Sequence, residues 1–274
     1  MPDKITITSG PVDGMYHQHA QKYAAFFHRH GLAAEIVTSA GSGQNIERLR
    51  NTDTPNQIGF VQGGFGAIDR VLTSETRASI QTLANVDIEP VWIFSRNKHL
   101  DSLLQLQGQR VSIGRIGSGS RVVALKLLEQ MRMEPKDMLT SDTTGLEAVN
   151  ALVQDQLDAA IFVAAPTAPV VKAMLRASGV HLAQLKQTAA FTERIAYLEP
   201  KLVAQGMLDR SASQPKQDTI LLTTVASLVA NENLHPALKR LATAAAMEVH
   251  QGATPLSKAG DFPNLKHVDF PLAP

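Results

Sequence analysis

Residues 109–131 read QRVSIGRIGSGSRVVALKLLEQM: a strand pattern, a glycine-rich turn, then a helical pattern. Gln109 to Ile113 has the apolar content of a short strand, and Gly114 to Ser120 breaks it. From Ser120 to Met131, the residues Ala124, Leu127, Leu128 and Met131 fall at i, i+3, i+4 and i+7, one face of a helix. A strand near Met138–Ser141, a helix over Gly145–Gln156 and a strand over Asp158–Val163 follow. Strands alternating with helices and joined by glycine turns specify a parallel α/β unit.

Working back toward the N-terminus, the same grammar appears once more. Ile5 and Ile7 alternate with Thr6 and Thr8, and Ser9-Gly10-Pro11 ends that strand. A helix over Asp13–His30 carries the stripe Ala20, Tyr23, Ala24 and Phe27, with Gly31 as its stop. A strand over Glu35–Thr38, the loop Ala40-Gly41-Ser42-Gly43, a helix through Ile46 and Leu49, and a strand over Gln57–Val61 complete the unit. Glu89–Phe94 reads as a strand between the halves. Beyond them lie a β-rich stretch, Asp218–Ala230, and a helix over His235–His250 with Leu238, Leu241, Ala242 and Ala245 on one face. The halves share a pattern, not a sequence repeat. Two halves and a late strand-helix return predict two lobes with two crossovers, residues 1–91 with 222–274 and residues 92–221. A small ligand is then expected in the cleft between them, at loops beyond the carboxyl ends of the strands.

Composition narrows the function. The 274 residues include 26 Lys and Arg against 25 Asp and Glu, a net charge of +1, which offers no phosphate-backbone attraction and argues against nucleic acid. Aromatic residues are 5% of the chain, too few for a base- or sugar-stacking platform. The absence of cysteine excludes disulfides, thiolate metal sites and a cysteine nucleophile. No apolar run approaches the ~20 residues that span a bilayer.

Gly117-Ser118-Gly119-Ser120 stands between strand and helix, where backbone N–H groups, the helix dipole and serine hydroxyls form an anion site without a basic side chain. An ordinary serine cap reads equally well. Gly114 and Gly119 have P-loop spacing, but Ser120 replaces the lysine, and Val122 stands where a dinucleotide fingerprint needs a small residue. Gly41, Ser42 and Asn45 form the matching loop of the first half; Gln62 and Gly63 follow its third strand, and Tyr16 follows its first. Thr143 and Thr144 precede the helix at Gly145, as caps or as hydroxyls for the cleft. Trp92, in the first crossover, is a hinge packing residue or a ligand contact, and Arg121 pairs with the ligand or points outward. His17 and His19, like His28 and His30, are two apart and point about 200° apart on a helix, so neither pair chelates; they read as solvated. No Gly-x-Ser-x-Gly elbow occurs. No catalytic residue, metal or cofactor is expected.

With these loops placed, the whole chain resembles the TAXI family, the solute-binding subunits of a branch of TRAP transporters. The resemblance rests on Gly41-Ser42-Gly43-Gln44-Asn45, Arg110-Val111-Ser112-Ile113-Gly114, Gly117-Ser118-Gly119-Ser120-Arg121 and Phe162-Val163-Ala164-Ala165-Pro166-Thr167. It departs from the family at Asp13-Gly14-Met15-Tyr16, which lacks a threonine, at Gly63-Gly64, which replaces a more polar pair, and at Arg115. The resemblance implies a two-lobed type II periplasmic binding-protein fold: two parallel-rich sheets flanked by helices, with a hinge. It implies a periplasmic monomer that captures a small carboxylate such as glutamate, 2-oxoglutarate or another dicarboxylate for membrane permease subunits. It adds Phe162 and Ala164 to the expected ligand contacts. An amino acid would need an acidic partner for its ammonium group, with Asp13 and Glu147 as candidates. Pro274 precedes any membrane segment, and the chain is read as a soluble portion of an exported protein without its leader. The competing reading is a dehydratase- or lyase-like enzyme of the same fold, with His17 as its acid or base. A regulator's effector domain is a third, disfavoured because the strand at Ile5–Thr8 leaves no room for a DNA-binding helix before it.

Overall fold

The structure is a computed structural model that describes residues 3–51, 57–68 and 79–273. In chain order its elements are β1 (Lys4–Thr8), α1 (Met15–Arg29), β2 (Ala33–Val37), α2 (Ser42–Leu49), β3 (Gln57–Gln62), α3 (Phe65–Ile68), β4 (Ile80–Ser95), β5 (Arg110–Ser112), α4 (Gly119–Gln130), β6 (Leu139–Ser141), α5 (Gly145–Val153), β7 (Ala159–Val163), α6 (Pro169–Arg176), β8 (His181–Leu182), α7 (Thr188–Arg194), β9 (Glu199–Val203), β10 (Thr219–Asn231) and α8 (Pro236–His250). The chain divides into two compact units, Met1–Asp87 with Val225–Pro274, and Ile88–Thr224.

In the first unit β1 pairs in parallel with both β2 and β3, so the strand order is β2-β1-β3. Beyond β3 comes β10, antiparallel, with Ala226 opposite Gln62 and Ala230 opposite Ile58. Alternation sends Ile5, Ile7, Ile58 and Phe60 to one face. There they meet Tyr23 and Phe27 of α1 and Leu238, Ala242 and Ala245 of α8. Full burial of each large apolar side chain stabilises the unit by about 1.5–3 kcal/mol. The opposite face packs on α2. Gly59 is required there, because a Cβ would fall 2.5 Å from Thr8 Cγ2 and 3.3 Å from Leu49.

In the second unit β5 pairs in parallel with β6 and β7, and β4 runs antiparallel to β7, with Trp92 opposite Phe162. The order β6-β5-β7-β4 repeats that of the first unit: three parallel strands with the first in the middle, then an antiparallel strand. Val111, Ile113 and Ile161 of the sheet pack on Leu127 and Leu128 of α4 and on Phe191 of α7. Arg110 fixes the start of β5 against the start of β7. Its Nε donates to Asp158 Oδ2 at 2.9 Å and its Nη2 to Asp158 Oδ1 at 2.6 Å, with a further bond to Asp155 Oδ1 at 2.7 Å. The guanidinium holds the Asp158 carboxyl below its usual range.

β4 begins at Ile80, nine residues before the strand expected at Glu89. Asn85, Asp87 and Glu89 weaken the strand pattern in sequence, but the fold partners them. Asn85 donates its backbone N–H to Asn264 O at 2.7 Å and accepts from Ser227 Oγ at 2.7 Å. The elements α6, β8, α7 and β9 lie where no periodic signal stands out. They are two to eight residues long and are specified by packing rather than by local pattern.

Candidate functional site

In both units the loops singled out in the sequence emerge at the carboxyl ends of the parallel strands. In the first unit β1 leads into α1, β2 into α2 and β3 into Gln62-Gly63. Gly14 and Gly41 are the N-caps of α1 and α2, and no side chain caps either helix. Gly41 has φ of 125°, a conformation reserved for glycine. The amide ends of both helices therefore lie at the strand edge without a side-chain cap bond. Tyr16, half-buried in the first turn of α1, lies tilted against Phe60 at 5.7 Å.

Two of the expected contacts are engaged within the unit. Ser42, buried, accepts the backbone N–H of Gln62 at 2.9 Å. Asn45 is 0% exposed; its amide donates to Ser9 O at 2.6 Å and to Phe60 O at 2.8 Å and accepts from Thr8 Oγ1 at 2.6 Å. These bonds stitch β1, β3 and α2 together at the strand edge. Gly63 donates its N–H to Val225 O at 2.6 Å, continuing the β3–β10 ladder.

In the second unit Gly114 has φ of 87°, and a Cβ there would lie 3.0 Å from both Arg121 N and Ser118 Oγ. Only glycine lets the chain fold back onto the start of α4. Gly117, also at positive φ, precedes the cap. The cap is Ser118, two residues before the expected helix start: its Oγ accepts from Arg121 N–H at 3.2 Å and donates to Arg115 O at 2.7 Å. Gly119 is the first residue of α4 and is buried. Ser120 Oγ accepts from Val163 N–H at 3.0 Å, tying α4 to the end of β7. Arg121 donates to Gly114 O at 3.0 Å and pairs with Asp142 at 2.9 Å, so its charge is matched within the unit.

Thr143 accepts from Ser141 Oγ at 2.8 Å and, through its carbonyl, from Ser112 Oγ at 2.5 Å. Thr144 is the N-cap of α5 and makes no side-chain cap bond. A cavity of about 430 Å³ runs beside α5, lined by polar residues including Ser141, Thr143, Glu147, Asn150 and Gln154. Trp92 is 0% exposed and donates its indole N–H to Ala164 O at 2.8 Å. Phe162 is half-buried on β7 and stacks on Phe94 at 6.0 Å.

The histidines correct an expectation. His28 and His30 are exposed, but His19 is 4% exposed and packs edge-on against His250 at 4.7 Å. The inward face of α1 is broader than the stripe read from sequence and takes in position 19. Burial, then the charges of His250 and Lys22, pushes the His19 imidazole well below its ordinary range. His17 belongs to the strand edge: its Nδ1 is 3.3 Å from Ser9 Oγ at the end of β1. The sequence reads His17 as solvated, or as the acid or base of the competing enzyme reading, and Ser9 only as the end of the first strand. Among the described residues, no group of three His, Cys, Asp or Glu could hold a metal ion. No helix of the described residues is long and apolar enough to cross a membrane.

Two units of matching strand order, joined through β4 and β10, define an α/β periplasmic binding-protein fold. The chain belongs to the NMT1-like family, whose profile matches residues 7–259. Solved structures agree on the fold. A protein of Bordetella bronchiseptica RB50 is 19% identical, with 90% of this chain and 70% of that chain covered and a TM-score of 0.59. The periplasmic binding protein BugD is 15% identical, with 90% and 83% covered and a TM-score of 0.59. The periplasmic aliphatic sulphonate binding protein SsuA of Escherichia coli is 17% identical, with 90% and 72% covered and a TM-score of 0.52. No curated protein matches the chain.

Proposed function

We propose that this protein is an extracytoplasmic solute-binding protein that captures a small carboxylate and hands it to membrane permease subunits. The observation that carries the reading is that α1, α2 and α5 begin at the strand edges with no side-chain cap bond at their N-termini. Helix N-termini and backbone amides bind an anion without a basic surplus, which suits a chain of net charge +1. Candidate ligand contacts are Tyr16, Gly41, Gln62 and Gly63 in the first unit and Gly117, Thr143 and Thr144 in the second. The names of BugD and SsuA, both periplasmic binding proteins, support binding rather than turnover and a location outside the cytoplasm. The resemblance of its loops to those of TAXI proteins favours a TRAP-type permease and a ligand such as glutamate, 2-oxoglutarate or another dicarboxylate.

A thermal-shift and calorimetric screen of glutamate, 2-oxoglutarate, succinate, an alkanesulfonate and a neutral sugar tests this reading. A ligand that binds only the folded protein stabilises it by about 2.7 kcal/mol at a hundred times its Kd. Stabilisation by a carboxylate and not by the sugar is expected. Binding of the sulfonate alone would replace the carboxylate by another anion, and no binding of any anion would overturn the reading.

A further inference from the structure

We propose that, where α1 packs on α8, the first unit holds one internal water molecule bound by His19 Nδ1, the Tyr23 hydroxyl and His250 Nε2. The site lies in the core of that unit and is independent of the solute. All three atoms are buried, and among the described residues none of them has a hydrogen-bond partner. They belong to one cluster. The His19 and His250 rings meet edge-on with centroids 4.7 Å apart, and the Tyr23 ring is 5.7 Å from that of His250. Phe60 of β3 closes the cluster from the sheet, 5.7 Å from His19 and 5.4 Å from Tyr23. His19 and Tyr23 stand one turn apart on the inward face of α1. They are 4% and 0% exposed, and His250 is 8% exposed.

Three orphaned polar atoms in one apolar cluster carry a desolvation cost that native cores remove, and a water with three protein partners is the usual means. The donors and acceptors match that role. Burial, then the charges of His250 and Lys22, holds the His19 imidazole well below its ordinary range, and burial, then Lys22, brings His250 down to about 3, so both rings are neutral at pH 7.5. Burial pushes the Tyr23 phenol up, so it keeps its proton. A neutral imidazole has one nitrogen that donates and one that accepts. His19 Nε2 faces the Asp87 carboxylate at 4.0 Å, which draws the ring proton to Nε2 and leaves Nδ1 as an acceptor. With the His250 proton on Nδ1, its Nε2 accepts as well. The Tyr23 hydroxyl then donates to the water oxygen, and the water donates one hydrogen to each imidazole. All three orphans are paired, no group takes a charge, and α1 is joined to α8 at their contact.

Two kinds of measurement on the full chain at pH 7.5 test this. Oxygen-17 relaxation dispersion should count one fewer long-lived water in Tyr23→Phe/His250→Leu than in wild type. A crystal structure should place that water within about 2.7–3.2 Å of all three atoms. Stability supplies the sign. Tyr23→Phe removes the hydroxyl and nothing else. A hydroxyl that holds the water is worth about one neutral hydrogen bond, so the folding equilibrium constant should fall about fivefold, read from the urea midpoint. A hydroxyl without a partner gives the opposite sign, because its removal relieves a desolvation cost. In a His250→Leu background the same change should cost less, the site being already broken. A midpoint unchanged or raised in Tyr23→Phe would overturn the inference. So would equal numbers of long-lived waters, a crystal structure in which the three groups bond one another directly, or a metal ion at the same point.

Discussion

Gly114 and Asn45 make the strand edges by opposite means, one by lacking a side chain and the other by engaging every polar group it has. A methyl at position 114 meets the backbone of Arg121 and the cap hydroxyl at 3.0 Å, at a φ of 87°. Gly114→Ala is therefore expected to lower unfolding free energy by about 1–3 kcal/mol, read as a shifted urea midpoint at unchanged m-value. Asn45→Ala removes three buried hydrogen bonds at once, to the carbonyls of Ser9 and Phe60 and from the hydroxyl of Thr8. A loss of about 2–4 kcal/mol is expected in the same measurement, and a loss below about 0.5 kcal/mol would show that the stitching is dispensable. The glycines at 41, 114 and 117 were legible in sequence because a backbone turn is a local property. The partners of Ser42, Asn45 and Ser120 were not. They lie 20, 36 and 43 residues away along the chain, and only the folded sheet brings them together.

At the scale of elements, the contact of α1 with α8 has a chemical signature. His19 and His250 lie against each other and against Tyr23 and Phe60, and among the described residues the buried His19 Nδ1, Tyr23 hydroxyl and His250 Nε2 have no hydrogen-bond partner. Burial, then Lys22, pushes the His250 imidazole down to about 3. The unfolded chain binds that proton near pH 6.5 and the folded chain only near pH 3, so the linked stability is whole above pH 6.5 and is lost as pH falls toward 3. For His250 the loss reaches about 2 kcal/mol by pH 5. Melting of wild type and His250→Leu at pH 7.5 and pH 5 checks it: the variant should fall less on acidification, and parallel falls would show that the pair does not titrate with folding. The long helices were legible from their apolar stripes. The buried histidines were not, because a polar residue beside a stripe is assigned to solvent until the opposing helix is known.

At the scale of the whole molecule, the tandem strand-helix pattern was the strongest signal in the sequence, because each half repeats the order of three parallel strands that a crossover strand then completes. What the pattern did not carry is how unequally the two units depend on distant chain. The second unit is continuous, Ile88–Thr224, and its core is drawn from Val91 to Leu222. The first is assembled from Met1–Asp87 and Val225–Pro274, and the later segment supplies Leu228 and Ala230 of its sheet and Leu238, Ala242, Ala245 and Ala246 of α8. Without them β3 has a bare edge and the apolar face of Ile5, Ile7, Ile58 and Phe60 is only partly covered, a loss no short segment survives. Expressed alone, residues 88–224 should therefore unfold cooperatively in urea with dispersed amide resonances. Residues 1–87 should show neither until 225–274 is supplied in trans. A fragment 88–224 without a cooperative transition, or a fragment 1–87 that folds unaided, would mean that the cores are not partitioned as the packing places them.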